Sequence, residues 1–95
     1  MKRIPTHPGA ILREDVFPAL NMPKTKIAAA LGISRSMLYA ILAEDVPITP
    51  NIALRLGKFL GNGPEIWMDM QVAHDLAVTA RDMKHQLAGV RRAAA

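Results

Sequence analysis

The run Thr25–Leu42, TKIAAALGISRSMLYAIL, leaves this chain the fewest options for folding. Ile27, Ala28 and Leu31 repeat at the 0, +1, +4 spacing of one helical face, which predicts a helix over about Lys24–Leu31. Gly32 follows, where a residue with positive φ commonly stops a helix. Ile33 turns an apolar side chain back toward the core. Ser34 is a favourable N-cap for a second helix over about Arg35–Glu44. In that helix Met37 or Leu38, then Ile41 and Leu42, face inward, while Arg35, Ser36 and Tyr39 point outward. Ala28, Ala29 and Ala30 keep the first helix thin, so that two helices can cross closely near Gly32.

A plain helical hairpin does not need this combination of small residues, turn glycine, apolar residue and N-cap. Its fixed offsets are those of a DNA-binding helix-turn-helix. In that motif the second helix lies in the major groove, with the side chains of its N-terminal end at base edges. Charge points the same way. Residues 1–42 hold six Lys/Arg and two Asp/Glu, residues 43–75 two and five, and residues 76–95 four and one. The section with the second helix is therefore basic, the sign that phosphate contact requires. A net charge of +4 alone would fit a solvated basic surface equally well.

Composition removes other classes. Ninety-five residues predict a single domain over 1–95, small enough to gain from dimerisation. There is no cysteine, which excludes a disulfide framework and any Cys-based zinc site and fits a reducing compartment. No run of about 18 apolar residues is present to span a membrane. MKRIPTHPGA lacks the apolar region of a secretory signal.

In chain order, Met1–Thr6 reads as a flexible or loosely docked arm, with Lys2 and Arg3 either solvated or at phosphates. His7-Pro8-Gly9 sets up a first helix with Ile11, Leu12 and Val16 as its apolar positions. His7 has no ligand partner at metal spacing and reads as a cap. Pro18 ends or kinks that helix, and Pro23 suits the start of the next. Ala43–Pro47 is a loop closed by Ile48. Thr49-Pro50 starts a fourth helix to about Leu60, with Ile52, Ala53, Leu56 and Leu60 inward, and Gly61-Asn62-Gly63 stops it.

Pro64-Glu65 opens a fifth helix. Ile66, Met70, Ala73, Leu76, Ala80, Met83, Leu87 and Val90 fall in one apolar seam along it. A helix to about Gly89 would be roughly 40 Å long, against a radius of gyration of about 13 Å for a compact body of this size. The distal part, Ala80–Val90, therefore either frays or packs on another chain. Trp67 reads as a core anchor. His74 and His85 lie three turns apart, too far to share a metal, and no metal or cofactor is expected. No nucleophile triad, phosphate loop or flanking carboxylate pair is present, so the sequence predicts no enzyme.

With these segments placed, the chain resembles the HigA-type antitoxins, a branch of the phage-repressor-like helix-turn-helix proteins, over about His7 to Asp75. HPGAIL is similar to that family's HPGEIL, with Ala10 where Glu is usual. TKIAAALGIS and SRSMLYAIL resemble its first helix and turn and its recognition helix, and ITPNIALRLGKFLG its fourth helix. GPEIWMDMQVAHDL is close to its PEFWLNLQAAYDL pattern. The first and last motifs together are specific to this branch.

The resemblance implies an all-α fold of five helices with a long C-terminal helix. It implies a bacterial cytoplasmic antidote that neutralises a cognate mRNA-cleaving toxin. As a homodimer, the protein would also repress its own genes at a palindromic operator. Carried over by position, Ser34, Arg35, Ser36 and Tyr39 match the face that contacts bases and backbone, and Lys24 and Thr25 match helix-start positions that touch phosphate. After the recognition helix the family has Asn-Gly and a basic residue where this chain has Ala43, Glu44 and Asp45, two carboxylates that would repel DNA. A repressor with no toxin, and an interaction module that has lost DNA binding, are the competing readings.

Overall fold

The computed structural model describes residues 3–94, which form six helices and no strand. Helix α1 (8–20) is followed by α2 (Lys24–Leu31), α3 (Arg35–Leu42), α4 (Pro50–Leu60), α5 (Glu65–Asp82) and α6 (Lys84–Ala88). Five helices were expected. The sixth arises because the long C-terminal helix breaks at Met83, whose φ of −99° and ψ of 15° leave the helical region. No described residue beyond Val78 is buried or half-buried, so no packing holds the helix through that point.

α1 begins on His7, whose Nδ1 accepts the Gly9 N–H at 2.9 Å. It runs past Pro18 instead of ending there. Proline removes one hydrogen bond and its ring crowds the carbonyl four residues back. The chain answers with a π-helical stretch, Leu12–Val16, in which the Phe17 N–H reaches back to the Leu12 carbonyl. Asn21, with φ 59°, then ends the helix in the left-handed region.

α1 packs on α3 and α5, and α4 packs on α2 and α5. Leu12, Phe17, Ile27, Leu31, Leu38, Ile41, Ile48, Leu56 and Trp67 form one core with their neighbours. Burying a leucine or isoleucine side chain in it contributes roughly 1.5–3 kcal/mol. Leu38, not Met37, takes the inward position on α3, and Met37 is exposed. Gly9 is packed so closely on α3 that a Cβ there would overlap the Ile41 carbonyl oxygen. Trp67 is buried as expected and donates its Nε1–H to Asn62 at 3.2 Å. Gln71 is a buried polar residue whose amide oxygen and nitrogen are both hydrogen-bonded. Its Oε1 accepts the Ile48 N–H at 2.7 Å, and its amide donates to Asp75 at 2.9 Å.

Apart from Met70, which packs against the core, the apolar seam of the fifth helix faces away from it. Trp67 and Gln71 are the buried residues of α5, whereas Ile66 and Leu76 are exposed, Leu76 by 66%. The indole needs the deep position, and it rotates the seam outward. Ala80, Met83, Leu87 and Val90 touch nothing that buries them.

Candidate nucleic-acid interface

α2 and α3 cross at 108°, within the range of about 90–120° for a helix-turn-helix. Gly32 supplies the turn with φ 73°, where its N–H bonds to the Ala29 carbonyl. Ser34 caps α3 by accepting the Met37 N–H at 3.0 Å, and its hydroxyl hydrogen stays available to donate. Thr49 caps α4 in the same way, accepting the Ile52 N–H at 3.3 Å.

All six predicted site residues are exposed. Arg35 and Ser36 lie in the first turn of α3 and Tyr39 one turn on, so the three share the face turned away from Leu38, Ile41 and Leu42. Lys24 and Thr25 open α2, whose start has no side-chain cap. The structure joins the two groups. The Lys24 ammonium lies 5.9 Å from the centroid of the Tyr39 ring, a cation–π contact that ties the beginning of α2 to the recognition helix. Lys24, Lys26 and Arg35 form no ion pair among the described residues. Lys26, like Met37, is an exposed neighbour of this face that pattern reasoning did not single out.

Two arginines outside the motif hold it in place. Arg55 on α4 donates from Nη1 to the carbonyls of Leu31, at 2.9 Å, and Gly32, at 3.3 Å, and from Nε to Asn51 at 2.7 Å. It thereby caps the C-terminus of α2. Arg13 on α1 donates to the Leu42 carbonyl at 2.6 Å and caps the C-terminus of α3. Each helix end thus receives a cation where the helix dipole is negative. Neither role is visible in a hydrophobic pattern, because both arginines sit on faces that read as solvent-exposed.

Arg13 also pairs with Glu14 at 2.8 Å and Glu44 at 3.2 Å, and these two bonds push its pKa up. Glu44 is thus partly neutralised, which weakens the repulsion expected from the two loop carboxylates. Glu44 also adopts φ 64°, a left-handed position at which asparagine or glycine is the ordinary choice.

The other titratable cluster lies away from this face. His7 is buried, and its ring meets that of His74 edge-on at 5.2 Å. Burial first, then the nearness of His74, lowers the pKa of His7, against the opposing pull of Glu44 and Asp75. His74 bonds through Nδ1 to the Pro5 carbonyl at 2.7 Å, which docks the N-terminal arm on α5. Arg3 in that arm is exposed, and Lys2 lies outside the described residues. No group of three His, Asp or Glu among the described residues is placed to hold a metal ion. No single described helix is long and apolar enough to cross a membrane.

Comparison with known proteins gives a consistent picture. No protein-family model matches the chain. Virulence-associated protein I of Dichelobacter nodosus is 37% identical over 76 residues, 80% of this chain and 70% of its own length. Antitoxin HigA-1 of Vibrio cholerae is 31% identical over 75 residues, 79% of this chain and 70% of its own. Among solved structures, a HigA-family addiction-module antidote protein from Coxiella burnetii is 33% identical with a TM-score of 0.87, covering 96% of this chain and 100% of that one. Antitoxin GraA in complex with its operator is 32% identical with a TM-score of 0.88, over 100% and 99% of the two chains.

Proposed function

Because the chain belongs to the HigA-type family of helix-turn-helix antitoxins, we propose that it binds its own operator as a homodimer, represses its own transcription, and neutralises a cognate mRNA-cleaving toxin. One observation carries the DNA-binding part. An exposed recognition face is built from Arg35, Ser36 and Tyr39, is joined to Lys24 across the motif, and bears cations that no described carboxylate neutralises.

The chemistry of that face suits duplex DNA. Arg35, in the first turn of α3, can present two N–H groups to the O6 and N7 of a guanine, with a discrimination of roughly 1–3 kcal/mol. Ser34 and Ser36 donate to a base edge or a phosphate. The Tyr39 ring packs on a sugar or a thymine methyl. At the start of α2, Lys24, Thr25 and the free backbone N–H groups take a phosphate, which fixes the register on the duplex. Two such faces must lie about 34 Å apart to enter successive major grooves, and this is the geometric reason for a dimer.

A two-gene test separates the two activities. A reporter driven by the chain's own promoter should be repressed by the wild type and released by Arg35→Ala. In cells arrested by a cognate mRNA-cleaving toxin, co-expression of either the wild type or Arg35→Ala should restore growth. Repression that survives Arg35→Ala contradicts the assignment of the recognition face. Failure of the wild type to rescue growth contradicts the antitoxin activity.

A further inference from the structure

Met37 is a large apolar side chain that the fold leaves unused. It stands in the first turn of α3 and is 41% exposed, while the next residue, Leu38, takes the place in the core. Its backbone is fixed, because the Met37 N–H is the one that the Ser34 hydroxyl oxygen accepts at 3.0 Å. The side chain therefore starts from a defined point at the end of the recognition helix that a helix-turn-helix turns toward base edges. At about 100° per residue, Tyr39 lies roughly 40° round the helix from Arg35, Ser36 roughly 100° and Met37 roughly 200°. The buried Leu38, Ile41 and Leu42 fill the remaining arc. Arg35 and Tyr39 thus form one edge of the outward face, Met37 forms the other, and the short Ser36 lies between them. The Lys24 contact with Tyr39 sets the first edge on the side where α2 begins.

In the major groove every base pair shows hydrogen-bonding atoms, and the one apolar group among them is the C5-methyl of thymine. A thioether has no N–H or O–H to donate and is a weak acceptor, so Met37 has little to offer the polar edge of a guanine, an adenine or a cytosine. Its unbranched stem adapts readily to an apolar surface. We propose, on the operator reading above, that Met37 is a specificity-determining residue that covers the C5-methyl of one thymine in each operator half-site. Tyr39 points roughly 160° away round the helix and does not reach the same methyl. Arg35 and Met37 then read different base pairs by different chemistry, one by hydrogen bonds and one by apolar contact.

The test uses the full chain and synthetic duplexes. Binding sequences are enriched from a random duplex library with the wild type. The enriched duplex is then measured by fluorescence anisotropy with deoxyuridine in place of one thymine at a time, which removes the methyl and keeps every hydrogen-bonding atom. At one thymine in each half-site the wild type should lose about fourfold in affinity, the transfer value of a single buried methyl-sized group. Met37→Ala should bind the thymine duplex more weakly and should not distinguish thymine from deoxyuridine at that position. With 5-methylcytosine or cytosine placed there instead, the wild type should prefer the methylated base by a similar factor, and Met37→Ala should prefer neither. The variant should keep its helical circular dichroism, because Met37 is exposed and alanine favours a helix.

Deoxyuridine effects that all survive in Met37→Ala, or a wild type that no such replacement weakens, overturn the proposal. So does 5-methylcytosine that binds no better than cytosine. The two readings fail separately. A wild type that enriches no sequence refutes the operator reading and this one with it. Enriched sequences whose binding depends on Arg35 but is indifferent to Met37→Ala refute the role of Met37 alone.

Discussion

Arg55→Met removes a guanidinium and keeps an apolar stem of similar length. The wild-type Nη1 holds the Leu31 carbonyl at 2.9 Å in a partly buried position and the Gly32 carbonyl at 3.3 Å in an exposed one. A hydrogen bond from a charged donor is worth roughly 1.5–3 kcal/mol when shielded. Here the side chain is exposed, the second bond is long, and water can reach the Gly32 carbonyl, so the whole contribution comes to about 1–2 kcal/mol. A domain of this size loses about 4–8 °C in melting temperature for each kcal/mol, so Arg55→Met should melt roughly 4–16 °C lower. Arg55→Lys keeps the charge but not the fork and should fall between. Lys58→Met, an exposed cation in the last turn of the same helix, should stay within about 0.5 kcal/mol of the wild type. Thermal unfolding followed at 222 nm reads all three. If Arg55→Met melts with Lys58→Met, the capping argument for α2 is wrong.

Gly9→Ala forces a Cβ into the Ile41 carbonyl and should cost about 1–3 kcal/mol in urea unfolding, because backbone rather than a flexible side chain must give way. His7 should make the fold acid-sensitive. Its folded pKa lies below the ordinary 6.5 because of burial and His74, although Glu44 and Asp75 pull the other way, so the unfolded chain binds more protons. Stability should therefore be intact above about pH 6.5 and fall as the pH drops toward the lowered folded value. His7→Asn keeps an acceptor for Gly9 and should flatten that slope between pH 7 and 5; an unchanged slope would clear His7 of the effect. Lys24→Gln should weaken DNA binding about equally on all sequences and reduce the slope of log K against log salt by about 2 for a dimer, read by anisotropy across a salt series.

The helix-turn-helix was legible because each of its parts is written in local chemistry. Gly32 needs a positive φ, Ser34 and Thr49 carry cap oxygens, and the apolar spacing of Ile27, Ala28 and Leu31 sets a face. The outward positions of Arg35, Ser36 and Tyr39 followed from the same spacing, whereas Lys24, Thr25 and Ser34 became site candidates through the family resemblance. The cation–π contact of Lys24 did not, because it joins two helices whose crossing angle no periodicity fixes. Arg13 and Arg55 were illegible for a related reason, since a capping arginine and a solvated one look alike in a pattern. On α5 the period was read correctly but the face was not. Ile66 and Trp67 both offer apolar starts, and only packing of the indole against the core decides which points inward. The continuation past Pro18 required a π stretch that the sequence does not announce.

The most direct test of operator recognition is fluorescence anisotropy with a duplex from immediately upstream of the gene and a scrambled duplex of equal composition, at one stated salt concentration. The account predicts a preference of a hundredfold or more, about 2.7 kcal/mol, that falls markedly in Arg35→Ala. Equal, weak binding to both duplexes would contradict it, leaving a helix-turn-helix that does not read this site.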